Sequence, residues 1–250
     1  MLHQFSRTEL AIGAEGLDIL KNSTVAVLGI GGVGAMAVEG LARTGIGRII
    51  LIDKDVVDIT NVNRQIHALT TTVGQKKADL MCERVKLINP ECETIALNMF
   101  YTEETYEELF KYDIDYVLDA SDTIMYKIHL IKECRKRKIP MISSMGAANK
   151  MDPTKFEVTD ISKTHMDPMA RVIRTKLREE GIKKGVKVVF STEQPVKPRV
   201  DVTKKIAPAD AKIRKAKQPP ASNSFVPPVV GLIMVSAAVR DLLKAGGVQV

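Results

Sequence analysis

Short continuous apolar runs alternate along this chain with longer stretches whose apolar residues recur every three or four positions. "TVAVLGI" (24–30) has strand length and no polar face, as expected of a strand buried on both sides. "GIGGVG" follows it, then "AMAVEGLART", a helical pattern that stops at Gly45. "RIILID" (48–53) predicts a second buried strand, so this stretch reads as one βαβ unit with a right-handed crossover. "VGQKKADLMCERVKLINP" predicts a helix ending before Pro90, with Leu80, Met81, Val85 and Ile88 on one face. "TIALNM" predicts a strand, "TEETYEELFKY" a helix capped by Thr102, and "DYVLDA" a fourth strand. Residues 123–138 predict a helix and "PMISSMG" a fifth strand. Such alternation specifies the α/β class, with a doubly wound, largely parallel Rossmann-like sheet.

Beyond about residue 150 the pattern changes to a smaller α+β elaboration. "KFEVTDI" and "VKVVFS" predict strands on either side of a charged helix near 168–180. A proline- and lysine-rich connection occupies 194–224, and "FVPPVVGLIMVSAAVRDLLKAGG" then predicts one apolar helix over 226–244. Its uncharged run, Phe225 to Val239, is short for a membrane span and typical of a buried core helix, so a membrane is not expected. The expected organisation is one domain of three parts: a helical segment (1–22), a Rossmann-like part (23–150) and a C-terminal part (151–250).

Composition adds two things. Of 250 residues 45% are apolar, enough for a packed core, and the net charge is +7. That charge is concentrated. Lys197, Arg199, Lys204, Lys205, Lys212, Arg214, Lys215 and Lys217 face only Asp201 and Asp210 within 194–224. A polyanion is the natural partner of such a segment, through salt-sensitive contacts to phosphates; a solvated loop is the plainer reading. The N-terminus has no signal-peptide pattern, and three scattered cysteines (Cys82, Cys92, Cys134) lack paired spacing. A reducing cytosol is expected, with neither disulfides nor a zinc site.

Candidate chemistry gathers where strands meet helices. Gly29, Gly31 and Gly34 fit G-x-G-x-x-G between a strand and a helix, an arrangement that offers free N–H groups to a phosphate. Asp53 ends the second strand, 19 residues beyond Gly34, where a carboxylate accepts from ribose hydroxyls. NAD and ATP are equally served to this point. Asn61, Asn63, Arg64 and Gln65 then cluster in "TNVNRQ", and Lys77 follows in "GQKK" at a helix start. An arginine and a lysine at the mouth of the sheet suit a triphosphate whose charge must be offset during transfer, although solvated surface charge is the reading for either alone. Asp119 and Asp122 lie in "LDASDT" at the carboxyl edge of the sheet, where a carboxylate can hold Mg²⁺ or simply cap the next helix. His67 reads as structural, and the cysteines as small core residues.

"GIGGVG", "LIDKD", "TNVNRQ", "GQKK" and "DASDT", in that order, resemble the ubiquitin-activating-enzyme-like superfamily, whose ThiF- and MoeB-type members adenylate carboxylates with ATP and Mg²⁺. The resemblance implies ribose binding by Asp53 and a phosphate and carboxylate clamp of Asn61, Asn63, Arg64 and Gln65. It assigns the triphosphate lysine to Lys77 and the magnesium-linked carboxylate to Asp122. Gly32, Asp55 and Thr123 complete the implied ATP set, and Arg64, Lys77 and Asp122 are its catalytic members. It also implies a homodimer in which Arg7 reaches the partner's phosphates.

"ARTGIGRIILID", "TNVNRQIHAL", "INPEC", "KIPMISSMGAANKMDP" and "VFSTEQP" resemble one bacterial branch, which dehydrates threonylcarbamoyladenosine in tRNA to its cyclic form. That branch implies tRNA as partner, contacted by the basic residues of 194–224, together with a monovalent cation and a cysteine-desulfurase or other sulfur-transfer partner. No cysteine follows Cys134, which argues against a thioester step and a zinc ribbon. Adenylation of a ubiquitin-like or sulfur-carrier protein is the competing enzyme reading, and a nucleotide-binding adaptor without turnover the competing non-enzyme reading. An NAD dehydrogenase would leave Arg64, Lys77 and Asp122 without tasks.

Overall fold

The computed structural model describes residues 2–197, 199 and 220–249. Helix α1 (Ser6–Lys21) leads into β1 (Thr24–Leu28), α2 (Gly34–Thr44), β2 (Arg48–Ile52), α3 (Lys77–Ile88) and β3 (Glu93–Leu97). Next come β4 (Tyr116–Asp119), α4 (Ile124–Arg137), β5 (Met141–Ser144), β6 (Phe156–Asp160), α5 (Pro168–Glu179), β7 (Lys187–Ser191) and α6 (Val226–Ala245). One seven-stranded sheet runs in the order β3-β2-β1-β4-β5-β7-β6. Every pairing is parallel except β6 against β7, so the two strands of the C-terminal part extend the first sheet rather than forming another.

Strand β1 lies inside the sheet and is buried at all five positions, which is why its sequence has no polar alternation. Val27 is flanked by Leu51 of β2 and Leu118 of β4. Helix α6 covers the sheet beside α2. Its Val230, Met234, Ala238 and Leu243 are fully buried, each burial contributing on the order of 1–3 kcal/mol. The two helices approach so closely that a Cβ on Gly231 would stand 2.3 Å from the Val33 carbonyl oxygen. Helix α6 is long and apolar enough to cross a membrane, with a mean hydropathy of 1.7, yet here it is packed into the core.

Two local expectations are corrected. The stretch after Thr102 is a turn followed by a 3₁₀ helix (Tyr106–Lys111), not an α-helix. Thr102 and Thr105 bond each other and nearby backbone groups, holding the chain in a tight turn that competes with α-helical pairing. Asp122 does not cap α4 either. The capping position belongs to Thr123, which makes no side-chain capping bond.

Candidate active site

Strand β1 has β2 on one side and β4 on the other, and the chain leaves the two in opposite directions. The crevice at their carboxyl ends is where open α/β sheets bind ligands. Here it is a cleft of about 680 Å³, a size usual for small-molecule sites. The glycine loop forms its floor. Gly29 has φ +85°, and Gly34 packs so tightly that a Cβ would overlap the Gly29 carbonyl oxygen at 1.8 Å. Gly29, Gly31 and Gly32 line the cleft, whereas Gly34 lies behind the turn and makes it possible.

Asp53 ties this floor to the end of β2. Its Oδ2 accepts from the Ile30 N–H (2.6 Å) and its Oδ1 from the Asp55 N–H (2.8 Å). Burial pushes the Asp53 carboxyl upward, partly offset by those N–H donors and by the charge of Lys77. The chain then makes an excursion and returns to the same place. The Lys77 N–H donates to the Asp55 carbonyl (3.1 Å) and the Val57 N–H to the Gln75 carbonyl (2.8 Å). The first turn of α3 is thereby set beside the end of β2, and Lys77 enters the cleft. Only 8% of its side chain is exposed, and Nζ lies 3.3 Å from Oδ2 of the exposed Asp55.

The excursion carries the polar cluster. Asp58 and Asn61 cap one another, the Asp58 N–H donating to Asn61 Oδ1 at 3.2 Å, so buried Asn61 shapes the turn as well as lining the cleft. Arg64 lines the cleft with its Nη1 donating to the Thr60 carbonyl (2.8 Å) and Asn63 Oδ1 (2.9 Å); burial lowers its pKa. Gln65 is buried, and its Oε1 has no partner. Asn63 lies outside the lining: it is exposed and donates to the Ser222 carbonyl at 3.1 Å. His67, behind the cluster, is buried with neither ring nitrogen partnered, and burial holds it down to about 4.

The opposite lip is the turn after β4. Asp119, which the sequence places at the end of β4, is fully buried and committed to the fold. Lys127, also fully buried, donates to Asp119 Oδ2 at 3.0 Å and to Ser143 Oγ at 3.3 Å. The Ser143 hydroxyl donates to Oδ2 (2.7 Å), and Ser121 donates its hydroxyl (2.7 Å) and N–H (3.2 Å) to Oδ1. This network fixes the turn that presents Asp122 and Thr123 to the cleft. The Asp122 carboxylate is exposed and, among the described residues, engaged only by the Thr123 hydroxyl at 3.3 Å. Among the described residues no cluster of three His, Cys, Asp or Glu side chains can hold a metal. A magnesium ion in the cleft would therefore take Asp122 and find its other ligands on phosphate and water.

The far end of the cleft was not legible in the motifs. Met145–Lys150 and Asp167–Met169 line it, with Pro195, Pro220 and Ser222 from the flanks of the basic segment. Asn149 holds both flanks at once. Its N–H donates to the Ala221 carbonyl, its Oδ1 accepts from the Ala221 N–H and its carbonyl from the Val196 N–H, each at 2.8 Å. Of the eight basic residues read as nucleic-acid contacts, Lys197 and Arg199 are described and exposed; the other six lie outside the described residues. Arg7 is exposed on α1 and does not line the cleft. No cysteine lines it; Cys92 and Cys134 are buried and Cys82 is half-buried.

Known proteins share this arrangement over the whole chain. It is 70% identical over 244 residues to the tRNA threonylcarbamoyladenosine dehydratase of Bacillus subtilis (strain 168), covering 98% of this chain and 96% of that one. Identity to the Escherichia coli (strain K12) protein of the same name is 39% over 258 residues, with the same coverage. The crystal structure of the E. coli tRNA N6-threonylcarbamoyladenosine dehydratase in complex with ATP matches with a TM-score of 0.87 at 37% identity, covering 98% and 95% of the two chains. Its complex with AMP matches equally well. The ThiF family pattern spans residues 5–250, so fold, cleft and sequence agree that this chain belongs to the ThiF family.

Proposed function

We propose that this chain is an enzyme that uses ATP to dehydrate threonylcarbamoyladenosine in tRNA to its cyclic form, by adenylating the threonyl carboxylate. The observation that carries the reading is the convergence of Arg64, Lys77 and Asp122 on the mouth of the glycine loop. Hydride transfer would leave all three idle. The unpartnered Gln65 Oε1 and the exposed Asp122 carboxylate are polar atoms that a bound nucleotide and its cation would satisfy.

In this reading the α2 N-terminus and the glycine loop hold the phosphates, and Asp53 accepts from the ribose with the lone pairs its N–H donors leave free. The threonyl carboxylate oxygen attacks the α-phosphorus, and the bond to the pyrophosphate oxygen breaks. Lys77 and Arg64 neutralise charge building on the departing pyrophosphate. Asp122 would hold a magnesium ion, which would supply further charge neutralisation at the phosphates. A nucleophile of the same nucleoside then attacks the activated carbonyl and AMP leaves with the former carboxylate oxygen, so the nucleoside loses one water.

The tRNA is held in part by the basic residues of 194–224, whose described flanks sit at the cleft mouth. The same reading makes the chain a cytoplasmic homodimer with Arg7 of one copy at the other's phosphates. A monovalent cation and a sulfur-transfer partner belong to it by resemblance alone. Nucleoside mass analysis after incubation of modified tRNA with ATP and the protein tests the proposal: loss of one water is expected, and an unchanged nucleoside sinks it. Pyrophosphate exchange driven by a small carrier protein but not by tRNA would favour the competing reading.

A further inference from the structure

Seven basic residues lie between 168 and 187 against two acidic ones, Glu179 and Glu180, and residues 132–138 add Lys132, Arg135, Lys136, Arg137 and Lys138 against Glu133. These stretches adjoin in space. Lys132 pairs with Glu180 at 2.9 Å, and Arg135 Nη1 donates to the Gly185 carbonyl at 3.0 Å. Helix α5 starts in the cleft, since Asp167, Pro168 and Met169 line it, and runs about 18 Å away from it. Arg171 and Arg178 stand two turns apart on one edge of its exposed face, Lys176 is exposed about 140° further round, and Lys183 and Lys184 are exposed where α5 meets the end of α4.

Helix electrostatics explains part of this charge. Lys176 and Arg178 in the last turn of α5, and Arg135 to Arg137 in that of α4, favour the negative helix ends. Arg171 is the exception: it sits near the positive end of α5, where the buried Asp167 carboxylate is engaged by the Ala170 and Gly146 N–H groups and the first turn itself has no acidic residue. Among the described residues, none of Arg171, Lys176, Arg178, Lys183 and Lys184 has an acidic side chain within salt-bridge distance, whereas Lys132, Arg137 and Lys187 nearby are all paired. Local folding therefore leaves a line of uncompensated cations that begins at the cleft mouth.

We infer that this α5 track, from Arg171 through Arg178 to Lys183 and Lys184, is a second contact surface for the RNA backbone. It receives the part of the substrate that continues beyond the nucleotide in the cleft. The inference rests on the tRNA reading above and deepens it. The track is separate from the 194–224 segment and reads no sequence, because its contacts are to phosphates.

The test is the triple variant Arg171→Ala, Lys176→Ala, Arg178→Ala, none of which lines the cleft. Its Kd for full-length tRNA should rise about tenfold or more at physiological salt, and the log–log salt slope should fall by about two. Its Kd for ATP, and its turnover of a short modified anticodon-loop oligonucleotide, should stay at the wild-type level. Unchanged tRNA affinity and slope would overturn the inference, as would equal loss on the short oligonucleotide, which would place the effect in the cleft. Loss of affinity for anionic vesicles with tRNA binding intact would reassign the track to a membrane surface and overturn it too. A wild-type chain that binds no tRNA would instead defeat the reading underneath, so the two failures are distinguishable.

Discussion

Two buried lysines each pair with an aspartate, one pair sealed behind the turn after β4 and the other open to the cleft. Lys127 and Asp119 are both fully buried, and the pair is closed by Ser121 and Ser143. Lys77 is almost as buried, but its partner Asp55 is half exposed, makes one contact at 3.3 Å, and leaves the ammonium facing the cleft. A buried ion pair with all its bonding positions filled cannot take a ligand; one with a solvated, loosely held partner can exchange it for phosphate. Burial alone therefore does not separate a lysine closed into the fold from one open to a ligand. The saturation of its partner does.

The comparison can be broken in four ways. Lys127→Met strands the Asp119 charge in the core and should cost about 3–5 kcal/mol of stability. Adding Asp119→Asn removes the stranded charge and should recover at least half of that loss in denaturant unfolding. A double variant as unstable as the single one would show that the pair is not the cause. Lys77→Ala leaves Asp55 in solvent and Asp53 still bonded by two N–H donors, so its unfolding midpoint should fall less than that of Lys127→Met while kcat for pyrophosphate release falls about 10²- to 10³-fold.

The third prediction uses His67, held down from 6.5 to about 4 by burial first and by the charge of Lys77 second. On acidification the unfolded chain takes the proton before the folded one. Stability from neutral His67 is thus complete above pH 6.5 and is lost as pH falls from 6.5 towards 4, by at most about 3 kcal/mol. His67→Leu should flatten this slope in denaturant titrations run across that range. Lys77→Met should raise the His67 pKa seen by NMR; Lys127→Met is not expected to. The smallest effect belongs to Asp55→Asn: loss of so exposed a partner is worth about 0–1 kcal/mol, and ATP affinity by calorimetry should move less than about threefold.

The features legible in sequence were those built from neighbours along the chain. The apolar run of β1 and the glycines after it declare themselves locally, because burial on both faces and a tight turn each require particular residue types in series. Arg64 and Lys77, singled out because they follow the Asp53 strand end and open a helix, do line the cleft. Lys127 was not singled out, because a lysine within "KIHLIK" reads as a helix surface until Ser143, on another strand, is brought beside it. The structural role of Asp119 was hidden for the same reason, since its partners lie up to 24 residues away. Asn149, Asp167 and the far end of the cleft come from loops whose meeting depends on how β5, β6 and β7 are ordered in the sheet. The 3₁₀ turn after Thr102 failed differently: threonine hydroxyls outbid helix propensity over a few residues.

Asn149 fastens Val196 and Ala221 to one turn, so both flanks of the basic segment are placed by the loop after β5 and not by each other. Two of its three bonds run through the Asn149 backbone, so the anchorage belongs mainly to the path of the chain and only in part to the side chain at this position.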